Sequence, residues 1–184
     1  MRHETGWTAL LVDSNAKKAA FWGVLSALAL ALSWAESFLA PLLNLPMGVK
    51  PGLSNIAVMM ASAVLGLPAG IAVASAKAVF AGITRGPVAM LLSGTGGIVS
   101  ALLVGALLRC RGGQQAARKQ GLTEIGIGML GGVAHNLTQL AVAALMMKAP
   151  GVFWAAPWLI LCGALAGAVT GTAVKYLRKA KFFQ

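Results

Sequence analysis

Lys77 stands in the middle of an apolar run, between Ala74, Ala76 and Ala78, and His135, Asn136, Thr138 and Gln139 crowd into another. A charged side chain kept at membrane depth costs about 2.5–3.5 kcal/mol on insertion. Such a lysine therefore either snorkels to an interface or faces an internal chamber. His135 and Gln139 are four residues apart and share one helical face, with Asn136 about 100° round from His135. A patch of this kind is either hydrogen-bond glue between helices or the lining of a polar site. Glu36, Lys50, Asn55 and Arg85 complete the set, because the topology derived below carries them to the same end of their helices. Lys50, Lys77 and Arg85 are three cations against the single carboxylate of Glu36. A chamber lined by all of these groups binds an anionic or strongly polar solute taken from outside.

The residue types that are missing narrow the chemistry. The only Asp is Asp13, in a polar stretch, so the clustered carboxylates that hold Mg²⁺ on a diphosphate are lacking. No Gly-x-x-x-x-Gly-Lys-Ser/Thr loop is present, so ATP hydrolysis needs another protein. Gly94-Thr95-Gly96-Gly97 lies inside an apolar span with no preceding strand, and reads as close packing or as a place where a helix opens. Cys110 and Cys162 have neither metal nor disulfide spacing, and no second histidine lies in a span with His135. Asn136-Leu137-Thr138 matches a glycosylation sequon, but at membrane depth. The expectation is a binding protein rather than an enzyme, with no catalytic centre, no cofactor and no metal.

These side chains must be positioned by membrane helices. The chain has 184 residues, 58% of them hydrophobic, and a formal net charge of +11. Eleven of the fifteen Lys and Arg fall before Ala19, between Arg109 and Lys119, and between Lys175 and Lys181. That distribution marks the cytoplasmic side of a polytopic membrane protein. No aromatic platform interleaves with the basic residues, which argues against nucleic acid as a partner. Apolar runs predict six helices, 19–40, 52–67, 69–84, 87–108, 122–147 and 153–176. The run 19–40 is too long for a signal peptide and reads as a retained first helix. The expected class is all-α and polytopic, with six transmembrane helices and both termini cytoplasmic. Residues 1–18 form a polar tail, 19–176 the membrane domain and 177–184 a basic tail. Helices two and three, at about 16 residues each, leave a re-entrant hairpin over 52–84 as an alternative. Small residues recur every four positions at Gly23, Ala27, Ala31 and Ala35, at Gly97, Ala101 and Gly105, and at Gly163, Gly167 and Gly171. Such stripes let helix backbones approach closely.

The runs Val49–Ile56, with Lys50-Pro51-Gly52-Leu53-Ser54-Asn55, Leu92–Ser100, and Gly132–Leu140, with His135-Asn136-Leu137-Thr138-Gln139, resemble the Gx transporter family, often labelled heptaprenyl diphosphate synthase component I. The resemblance covers roughly residues 19–175. The family in turn resembles the substrate-binding S components of energy-coupling factor transporters. It implies a six-helix solute-binding subunit in the plasma (bacterial inner) membrane, docking on a transmembrane partner that two ATPases drive. By that resemblance Ala27, Ala31 and Ala35 match the docking stripe, and Lys50, Asn55, His135, Asn136 and Gln139 match motif positions. A reading from another class is a non-transporting membrane subunit in quinone- or flavin-linked electron transfer or a prenyl-lipid pathway. A plain scaffold of glued helices without a pocket is the third.

Overall fold

Apolar runs bounded by charge, proline and glycine become helices. The structure, a computed structural model, describes residues 14–44, 50–112 and 122–179. The elements in order are α1 (Ser14–Leu42), α2 (Asn55–Val64), α3 (Leu67–Arg85), α4 (Pro87–Gly112) and α5 (Glu124–Met147), then a 3-10 turn (Pro150–Ala155) and α6 (Ala156–Lys179). No strand occurs among the described residues. Most of the expected polar tail, the loop residues 113–121 and residues 180–184 of the basic tail lie outside them. Five helical stretches are long and apolar enough to cross a membrane: Lys18–Leu39, Leu67–Arg85, Pro87–Cys110, Glu124–Met147 and Pro150–Tyr176. The protein is an all-helical, multi-pass membrane protein.

The exception is α2. Its ten residues rise about 15 Å, half the roughly 30 Å of a hydrocarbon core. The expected start at residue 52 fails for a local reason: Gly52 has φ +90°, outside the helical region, so helix begins only beyond it, at Asn55. The third helix corrects in the other direction. After Gly66, at φ +98°, it starts at Leu67 with Pro68 in its first turn and runs 19 residues, about 28 Å. The expected pair of similar short arms is therefore one short helix and one of full length.

Short as it is, α2 is the hub. It contacts α1, α3, α4, α5 and α6, and buries Asn55, Ala57, Val58, Met59, Ala61 and Ser62. Leu25 and Ala29 of α1, Val73 and Ala74 of α3 and Ala101 of α4 pack on it. A second apolar cluster at the α5–α6 end joins Leu92, Leu140, Val152 and Leu159.

Lipid supplies no hydrophobic drive for helix association, so close packing must. A Cβ on Gly128 or Gly132 of α5 would collide with the carbonyl oxygens of Gly167 and Gly163, and one on Gly171 with that of Glu124. The α6 stripe is thus an intramolecular seam against α5. Gly97 faces Ala74, and Gly105 faces Leu67, so the α4 stripe packs on α3. The α1 stripe differs: Gly23, Ala27, Ala31 and Ala35 are all exposed, and a Cβ on Gly23 meets nothing within 4 Å.

Gly167→Leu should force α5 and α6 apart and lower stability in detergent by about 1–3 kcal/mol, the usual range for overpacking. Gly23→Ala should melt like the wild type. Equal melting of the two variants would contradict the seam.

Candidate functional site

Segment Lys50–Ser54 is non-helical backbone packed inside a membrane protein, where each N–H and C=O needs a partner from the protein. Side chains from two helices, α5 and α1, supply several of them. Gln139 Oε1 accepts from Lys50 N–H at 3.3 Å, and Asn136 Nδ2 donates to Pro51 O at 2.9 Å and to Leu159 O at 2.7 Å. Glu36 Oε1 accepts from Leu53 N–H, and its Oε2 accepts from Ser54 Oγ at 2.7 Å. Ser54 precedes α2 without a capping side-chain bond of its own, so the carboxylate of α1 serves as the anion at that helix N-terminus. The sequence placed Glu36 as the counter-charge of a chamber. In the structure its charge acts on Lys50, Lys77 and Arg85, while its oxygens are bonded to the start of α2.

The cations gather around serines instead. Lys50 Nζ donates to Ser33 O and, at 2.8 Å, to Ser37 Oγ. Arg85 Nη2 donates to Ser33 Oγ at 3.2 Å, and Lys77 Nζ to Ser54 Oγ at 3.4 Å. Each of these acceptors is neutral. Lys77 is 1% exposed, so it is no snorkelling side chain. Ser54 stands between Lys77 and Glu36, accepting from one and donating to the other. Burial, then repulsion from Arg85, holds the Lys50 ammonium down to about 8, with Glu36 pulling the other way and Lys77 adding further repulsion.

The α4–α5 side is neutral. Asn55 Nδ2 donates to Ser100 Oγ at 2.8 Å, and Gln139 Nε2 lies 3.0 Å from His135 Nε2. His135 Nδ1, Asn55 Oδ1 and Asn136 Oδ1 are buried with no partner in hydrogen-bond geometry. A Cβ at Gly96 would come within 2.9 Å of His135 Nδ1 and 3.0 Å of Gln139 Cγ, so the glycine cluster of α4 is close packing that admits the imidazole. The helix stays continuous there.

All eight residues expected at the site come together. Glu36, Lys50, Asn55, Lys77, His135, Asn136 and Gln139 are buried and Arg85 is half-buried. Thr138 is turned partly away and joins no bond of the cluster. Ala27, Ala31 and Ala35 lie apart from it, exposed on the α1 face opposite Leu25, Ala29, Ser33 and Glu36. Ser33, Ser37, Ser54 and Ser100 were missed. Ser33 carried a usable signal, lying three residues before Glu36 and hence on its face. Two grooves among the described residues, of about 590 Å³ each, lie away from the cluster, one beside Leu145, Lys148 and Phe153 and one beside Lys18, Trp22 and Leu65. No group of three or more His, Cys, Asp and Glu able to hold a metal ion occurs among the described residues.

The fold and the cluster define a polytopic helical membrane protein with a buried, predominantly cationic polar centre. The chain belongs to the family described as heptaprenyl diphosphate synthase component I, whose model matches residues 25–177. No curated protein and no solved structure matches it.

Asn136→Leu leaves Pro51 O unpaired in the protein interior, at about 1–3 kcal/mol, and takes from Leu159 O the partner it has beyond its helix bond. Its melting temperature in detergent should fall well below that of the wild type, while Thr138→Val should change little. An unchanged Asn136→Leu midpoint would show that the 50–54 segment is held by other means.

Proposed function

We propose that this protein is the solute-binding membrane subunit of an energy-coupling-factor type uptake system, and that its solute is small, polar and anionic. The observation that carries this reading is a charge imbalance. Lys50, Lys77 and Arg85 have only serine hydroxyls and a backbone carbonyl as bonded acceptors, while both oxygens of Glu36 are engaged at the start of α2. The one nearby carboxylate, Glu36, cannot balance three cations, buried charge in excess is costly, and an anion between these cations relieves the cost. Asn55 and His135 offer it hydrogen bonds, whereas Glu36, Asn136 and Gln139 hold the framework.

Uptake by such a subunit draws its energy from a transmembrane partner and two ATPases, since the chain has no nucleotide-binding loop of its own. The exposed small-residue stripe Ala27, Ala31 and Ala35 supports docking of that partner on α1. In this reading both termini face the cytoplasm and the cluster opens to the far side of the plasma membrane. The synthase wording of the family description receives no support from the residues, which lack clustered carboxylates.

Two variants separate the two faces. Lys77→Met should reduce solute binding at least tenfold while the melting temperature holds or rises, because a buried charge leaves. Ala31→Trp should abolish co-purification with the transmembrane partner and leave solute binding intact. Binding that survives Lys77→Met would remove the anion reading, and assembly that survives Ala31→Trp would remove the docking surface.

A further inference from the structure

The Lys50 backbone fixes more than its own segment. Its N–H can only donate, so the Gln139 atom facing it at 3.3 Å must be the amide oxygen. The amide nitrogen then faces His135 Nε2 at 3.0 Å, and an N–H donor there requires an unprotonated ring nitrogen. The proton of the neutral imidazole is therefore on Nδ1, which is buried against the Gly96 backbone and has no side-chain partner.

We infer that Gln139 is a positioning residue that locks His135 as an Nδ1–H tautomer, and that the donors of the cluster, Lys50, Lys77, Arg85 and His135, form a set for an oxyanion. This rests on the anion reading above and sharpens it. A carboxylate or phosphate supplies several acceptor oxygens and meets such a set. A solute that presents mainly donors, an amine above all, meets none of it.

The chain has two histidines, His3 and His135, so ¹⁵N NMR of full-length, histidine-labelled protein in nanodiscs can be assigned with one His3→Ala variant. Expected is the Nδ1–H tautomer for His135 in the wild type, and a switch to protonated Nε2 in Gln139→Glu, whose carboxylate accepts where the amide donates. Thermal shift with phosphate, acetate and succinate as probes should show stabilisation of the wild type by at least one of them, weakened tenfold or more in Gln139→Glu. Nε2–H in the wild type overturns the tautomer lock and leaves the anion reading standing. Nδ1–H with no response to any of the three anions overturns the oxyanion role and the anion reading together. If Gln139→Glu does not fold, the wild-type spectrum and probe titrations still decide both points.

Discussion

Five residues of non-helical backbone, Lys50–Ser54, must be satisfied where water is absent, and most of the polar architecture follows from that constraint. Gln139, Asn136 and Glu36 reach the segment from α5 and α1, each taking a backbone group that the irregular chain leaves open. Gly52 has the positive φ the path needs, and a side chain there would run into Asn136. The short α2 is a consequence: the chain spends its first residues on this path and has only ten left for helix.

Glycine seams make the arrangement possible. Helices α5 and α6 approach until backbone meets backbone at Gly128, Gly132, Gly163 and Gly167, which brings Leu159 O of α6 within reach of Asn136. The same economy of side chains on α4 leaves room for His135 against Gly96. Packing and polar satisfaction are coupled, so a change in the seam is felt at the cluster. What remains after this coupling is positive charge in excess, and that residue of the structure is what the functional reading uses.

The helices were legible because apolar runs broken by charge, proline and glycine have few other solutions. The boundaries of α2 were not, because apolarity continues through Leu53 while the positive φ at Gly52 excludes helix there. At the site, the convergence of Lys77, His135 and Gln139 could be read from misplaced polarity and helical spacing. Glu36 as a counter-charge was legible too, but its bonds to the start of α2 were not, since a contact 17 residues away is a tertiary relation that no local pattern announces. Ser54 and Ser100 were silent for another reason: serines are ordinary among small-residue membrane segments, and only their partners distinguish these two.

The central claim, that unbalanced buried cations bind an anion, is tested most directly by native mass spectrometry of the detergent-purified protein after exposure to an extract of small cellular metabolites. The account predicts one bound small molecule per chain, acidic once released and identified. A neutral or cationic molecule, or a chain that stays bare in that extract, would contradict it.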